Sequence, residues 1–297
     1  MQSIYDKIKT LEITTNRKVN GLFAGNYRSS FQGSGIEVDD VRPYEFGDNA
    51  KNIDWITTAK LGEPYIKKFS ETRELSTFII LDVSASMQFS SQKGTRKADV
   101  ALETAAVLMF SAFKNHEAVG AILFNNGIEK YIPAKKGKRH ILQILKAMIL
   151  AYENPKAGKG SLNAALDNFN VVSKKHPICF IITDTDVIDE YGKRALKVAN
   201  LKNDLVYLHV SDPFEKEIND SNYIRLQDFE TKKASSFLLS SKKMQERYKK
   251  LRKDKEEARV HLLRRSGIDH VLLSTTKSVF PVLFNFFKRR QNSPRRA

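Results

Sequence analysis

From residue 75 onward, runs of consecutive apolar residues alternate with stretches whose apolar positions recur every three or four residues. Residues 75–82 (LSTFIILD) read as a buried strand that ends in an acid. Residues 97–114 place Ala101, Ala105, Leu108, Met109 and Ala112 at helical spacing. Strands are predicted at 119–124, at 130–133, at 177–184 (PICFIITD), at 205–210 and at 269–273. Helices are predicted at 140–152, 161–173 with Ser161 as N-cap, 191–201 and about 236–265, with a closing helix after the last strand. Such alternation implies crossover connections and a mostly parallel sheet covered on both faces. The expected fold class is α/β, a doubly wound mostly parallel sheet.

Residues 1–74 do not share this rhythm. Gly21, Gly25, Gly33, Gly35, Gly47 and Gly62 fall among short mixed segments, which predicts a β-rich N-terminal layer of strands and turns. Within it, residues 35–55 (GIEVDDVRPYEFGDNAKNIDW) hold six acids and the chain's only tryptophan, Trp55. Aromatic residues at that density argue against disorder. Charge pairing of Glu37, Asp39, Asp40, Asp48 and Asp54 with Arg42, Lys51 and Lys60 is the plain reading; a docking surface for a basic protein is the sharper one.

Composition narrows the class. The 297 residues are 41% hydrophobic and 28% charged, which fits a globular chain with a full core. The single cysteine, Cys179, excludes a disulfide framework and a cysteine-built zinc site, and suits a reducing compartment. No apolar run approaches the ~20 residues of a membrane span, and the opening residues lack a signal-peptide core. The expected location is cytoplasmic, with peripheral contact at the inner membrane face as a variant. The net charge of +16 is uneven: residues 230–297 hold 19 Lys/Arg against 6 Asp/Glu. A basic region of this kind suits a solvated face and tail, or contact with nucleic acid or anionic lipid.

The chemistry gathers at two strand ends. The first strand runs into Asp82-Val83-Ser84-Ala85-Ser86, and PICFIITD ends in Asp184, with Asp186 two residues on. Ser161 adds a hydroxyl at a helix N-terminus. In open α/β sheets, ligands bind beyond the carboxyl ends of the strands, near the topological switch point. Two carboxylates and three hydroxyls make a hard, all-oxygen set that suits Mg²⁺ or Mn²⁺.

This pattern resembles the metal-ion-dependent adhesion site of von Willebrand factor type A domains, where Asp-x-Ser-x-Ser, a threonine and an aspartate come from three loops. Asp82, Ser84 and Ser86 match the first element and Asp184 the last, while Ser161 stands where that family has threonine. The resemblance implies that Ser84, Ser86 and Ser161 are direct ligands, that Asp82 and Asp184 act through water or directly, and that a partner carboxylate completes the shell. Met87 is expected to pack beneath the loop. The string Gly35-x-Glu37, Asp40-x-Arg42-x-Tyr44, Gly47-Asp48, Ile53-Asp54-Trp55, Ala59-Lys60, Tyr65-x-Lys67-x-Phe69 and Glu71 is similar to the signature of bacterial domain-of-unknown-function family fifty-eight. Asp212-Pro213-Phe214-Glu215 also looks like that family's Asp-Pro-x-Glu. This second resemblance implies a signature segment at 1–74 and a type A domain at 75–285, while the charge pattern predicts a basic disordered tail at 286–297. It also implies a MoxR-type AAA+ ATPase as partner, with a client protein that supplies an acidic residue.

Other functions find less support. Residues 157–161 (AGKGS) lack the full phosphate-loop pattern, Gly33-Ser34-Gly35 lacks the outer glycine of a nucleophile elbow, and the six histidines are scattered. No lysine or arginine stands within the metal motifs to hold a phosphate, so a metal-dependent hydrolase ranks low and no enzyme is expected. Residues 279–290 (VFPVLFNFFKRR) could form an interfacial lipid helix, but the same segment should pack as the last helix of the domain. The long helix near 236–265 mixes acids with its lysines, which disfavours nucleic acid.

Overall fold

The computed structural model describes residues 4–19, 21–31, 41–45, 53, 55–67, 75–91, 95–156, 161–173, 176–186, 188–215, 223–227, 234–238 and 242–292. The chain opens with α1 (Ile4–Lys18), α2 (Gly21–Phe31), β1 (Val41–Pro43), α3 (Trp55–Leu61) and β2 (Tyr65–Lys67). The alternating region follows as β3 (Ser76–Asp82), α4 (Lys97–Lys114), β4 (Ala118–Phe124), β5 (Ile128–Lys135), α5 (Lys138–Glu153), α6 (Leu162–Val172) and β6 (Ile178–Thr183). It continues with α7 (Glu190–Lys202), β7 (Asp204–Ser211), β8 (Tyr223–Gln227), β9 (Ala234–Leu238), α8 (Lys242–Arg265), β10 (Asp269–Ser274) and α9 (Val279–Asn292).

Six strands form one sheet in the order β10-β7-β6-β3-β4-β5. All neighbours are parallel except β5, which closes one edge antiparallel to β4. Numbered within the sheet alone, this is the 3-2-1-4-5-6 order of doubly wound folds. The α/β expectation therefore holds. The central strands are apolar throughout because both faces are covered. Ile79 and Leu81 of β3 pack with α4, α5 and α9, whereas Phe78 and Ile80 pack with α6 and α7 on the other face. At Gly120 of β4 a Cβ would sit 2.6 Å from the Phe78 ring, so only glycine lets these strands pair with that ring in place.

The N-terminal segment differs from the β-rich reading. Among its described residues, α1, α2 and α3 outweigh two three-residue strands. Phe23, Tyr27 and Phe31 recur at every fourth position, a helical stripe that enters the main core against Phe180 and Phe287. The Tyr27 hydroxyl lies 2.7 Å from Thr77 Oγ1 at the start of β3, which ties α2 to the sheet. Glycines at 21 and 25 suggested turns, but burial of this stripe outweighs their modest helix penalty. Trp55 opens α3 and is 70% exposed. Residues 32–40, 46–52 and 54, which carry Glu37, Asp39, Asp40, Asp48, Lys51 and Asp54, lie outside the described residues.

Two further boundaries move. The helix expected from about 236 starts at Lys242, because residues 234–238 (ASSFL) form β9 in an antiparallel pair with β8. Serines compete with the helix backbone for hydrogen bonds, which favours the strand there. The tail expected from 286 is helical through Asn292. Phe286 and Phe287 are buried, and Arg290 pairs with Asp204 while its guanidinium lies over the Phe31 ring. The phenylalanines of α9 thus pack inward, Phe280 stacking on Phe23. Among the described residues no helix is long and apolar enough to cross a membrane.

Candidate metal centre

The chain passes from β3 to β4 on one side of the sheet and later returns to β6 on the other, so β3 and β6 flank the switch point. The end of β3 supplies Asp82, 1% exposed. One carboxylate oxygen accepts the Ser84 amide at 2.9 Å and the other accepts the Thr183 hydroxyl at 2.6 Å. The Tyr152 hydroxyl donates to the Asp82 carbonyl at 2.6 Å and fixes the strand end. After Asp82 the chain turns, with Met87 fully buried beneath the turn, as expected.

Above this floor the hydroxyls line up. Ser84 and Ser86 Oγ are 3.0 Å apart, and Ser86 Oγ donates to Asp184 Oδ1 at 3.1 Å. Asp82 and Ser84 are buried, while Ser86, Asp184 and Ser161 are half-buried. Four of the five sequence-predicted residues are therefore joined by hydrogen bonds. Ser161 is the N-cap residue of α6, on a neighbouring turn; its amide donates to the carbonyl of Asn125, just past β4, at 2.6 Å. Its hydroxyl makes no capping bond and so stays outside the helix's own hydrogen bonding. Asp186 is drawn away from this set. Arg252 and Arg259 of α8 both pair with it, which removes it as a substitute for Asp184.

Charge in the site is unbalanced around Asp82. Burial and the nearby charge of Asp184 push its carboxyl up to about 6, against the lowering effect of hydrogen bonds from Ser84 and Thr183. Among the described residues no three His, Cys, Asp or Glu side chains form a metal cage, so any cation here would rely on hydroxyls as well as carboxylates.

No lysine or arginine stands within the metal motifs in sequence, but the fold brings one to them. Lys97, the first residue of α4 and 2% exposed, donates to Asp184 Oδ2 at 2.6 Å and to Glu215 Oε1 at 2.7 Å. Burial works to lower its pKa, but attraction to Asp184 and Glu215 outweighs it and holds the ammonium above its ordinary value. A cation in the first turn of a helix opposes the macrodipole, which these two acidic partners offset. Glu215 ends the Asp212-Pro213-Phe214-Glu215 motif. Asp212 anchors that turn, accepting the hydroxyls of Ser91 and Thr275 and the Phe214 amide. Thr183, the hydroxyl that holds Asp82, was also missed; threonine at a strand end is too common to stand out.

Beyond Asp186 lies a groove of about 840 Å³ between α7 and α8, which includes none of the five predicted residues. The candidate centre itself lies at the carboxyl ends of the central strands β3 and β6.

Uncharacterized protein Rv1480 of Mycobacterium tuberculosis (strain ATCC 25618 / H37Rv) is 27% identical to this chain over 224 residues, 75% of this chain and 70% of that protein. Uncharacterized protein YeaD of Bacillus subtilis (strain 168) is 31% identical over 113 residues, 38% of this chain and 26% of that protein. The crystal structure of conserved hypothetical protein BatB from Bacteroides thetaiotaomicron matches with a TM-score of 0.44 at 15% identity, across 74% of this chain and 100% of that one. A family model described as Protein of unknown function DUF58 matches residues 40–258, a span that runs from the N-terminal signature through the strand-end site into α8. The chain belongs to that family.

Proposed function

We propose that this chain is a non-enzymatic, metal-dependent interaction module of the von Willebrand type A kind. The observation that carries the reading is the hydrogen-bonded run Ser84–Ser86–Asp184 over a buried Asp82 at the switch point. The donors fit Mg²⁺ or Mn²⁺ because all are oxygens, and because Asp82 is buried near a second carboxylate, Asp184, and burial together with that charge raises its pKa. Ser84, Ser86 and Ser161 would hold the ion directly, and Asp82 and Asp184 would hold it directly or through water. Bound there, the ion supplies a Lewis-acidic position for a carboxylate from another protein. The half-buried Ser86 and Asp184, joined by a hydrogen bond, mark where that carboxylate would arrive.

A MoxR-type AAA+ ATPase is the partner this reading names, with a client protein as the source of the acidic residue. A hydrolase is disfavoured by Lys97. It is the cation that phosphate chemistry would call for, yet it is buried and held by two carboxylates. Calorimetric titration with Mg²⁺ and Mn²⁺ tests the metal: wild type should bind one ion per chain, and Asp82→Ala should lose at least tenfold in affinity, about 1.4 kcal/mol. Equal binding by the two proteins removes Asp82 from the site. Capture of the ATPase should then fall in parallel for Asp82→Ala and Ser84→Ala; equal capture by all three would separate the partner from the metal.

A further inference from the structure

Lys97 is a cation at a place that disfavours cations. It sits at the positive end of α4, and its burial requires paired acids. Asp184 is shared between two roles: Oδ1 accepts from Ser86, a proposed metal ligand, while Oδ2 accepts from the Lys97 ammonium. Glu215 is held independently of the metal motifs. Its Oε2 accepts the Asp212 amide at 3.1 Å, and Arg252 lies 4.0 Å from its Oε1. The Tyr248 hydroxyl of α8 also donates to the Glu215 carbonyl at 3.1 Å. Glu215 is therefore a fixed acceptor that can keep the ammonium when Asp184 turns to another cation.

We propose that Lys97 sets the metal affinity of this centre: its ammonium competes with a divalent ion for Asp184, and Glu215 retains it when the ion binds. The proposal rests on the metal-binding reading above. Two cations on one carboxylate repel each other, and partial burial leaves that repulsion poorly screened. Lys97 thus weakens metal binding in its resting position, and Glu215 relieves that effect by offering the ammonium an alternative.

The test is Mn²⁺ titration of the full chain by calorimetry. Lys97→Met should tighten binding by about tenfold. Glu215→Gln should weaken it several-fold, because the ammonium then has only Asp184 as a full counter-charge. The double variant should behave like Lys97→Met. A purely structural ion pair would move both single variants in the same direction, so the opposite signs are diagnostic. Thermal melting supplies a second readout: Lys97→Met should melt below wild type in EDTA and gain more on Mn²⁺ addition. Unchanged or weaker Mn²⁺ binding by folded Lys97→Met overturns the proposal, as does unchanged or tighter binding by Glu215→Gln. If wild type and Lys97→Met both fail to bind Mn²⁺ and Mg²⁺, the metal-binding reading falls and this inference falls with it.

Discussion

Asp82 carries the electrostatic mark of the site. In the metal-free protein its carboxyl is pushed up to about 6 by burial, with Asp184 adding to the effect. A carboxyl raised on folding favours the native state when protonated, so its stabilising contribution is complete below the ordinary carboxylate pKa. That contribution is lost as pH rises through about 6. In EDTA, urea unfolding of wild type should accordingly show a gain on the order of 1 kcal/mol between pH 7 and pH 5 that Asp82→Asn lacks. A constant difference between the two proteins at both pH values would contradict this assignment. At this scale the spacing Asp82-x-Ser84-x-Ser86 was legible, because three donors on one turn after a buried strand leave a recognisable trace. Lys97 was not legible. A lysine that opens a helix reads as a solvated charge until the fold brings Asp184, 87 positions away, onto its ammonium.

Elements were legible where periodicity was strong. The buried strands β3 and β6 and helix α4 sit within a residue or two of their predicted bounds, since continuous apolar runs and helical stripes leave few alternatives. The N-terminal helices were obscured by their glycines, although the stripe Phe23, Tyr27, Phe31 was present in the sequence. β8 and β9 were obscured because a short hairpin has no long-range pattern of its own. At the C-terminus, basic composition hid an anchored helix. Arg290 of α9 pairs with Asp204 at the start of β7, donates to the Ser30 carbonyl at 3.2 Å and covers Phe31. It therefore joins α9, β7 and α2. Arg290→Met should destabilise the protein by about 3 kcal/mol, measured by urea unfolding, because it leaves Asp204 without this partner. A change within about 0.5 kcal/mol would mean that the pair adds nothing to the anchoring of α9.

Across the whole molecule, the sheet order brings distant segments together at the carboxyl ends of its central strands. β3 and β6 are adjacent although 101 positions separate the paired residues Thr77 and Ile178, and the α4 N-terminus and the Asp212–Glu215 turn reach the same end of these strands. A metal centre built this way would depend on the complete α/β layer, and the Asp82–Ser86 turn alone would not reproduce it. The excess positive charge in residues 230–297 is partly structural, since Arg252, Arg259 and Arg290 are committed to Asp186 and Asp204. What remains decisive is where a divalent ion settles on the intact chain. Anomalous diffraction from crystals grown with Mn²⁺ addresses that directly. The account predicts one strong peak per chain within coordination distance of the Ser84 and Ser86 hydroxyls, with Asp184 turned toward it and Lys97 kept by Glu215. A strong peak elsewhere, with Ser84, Ser86 and Asp184 still bonded only to one another, would contradict it.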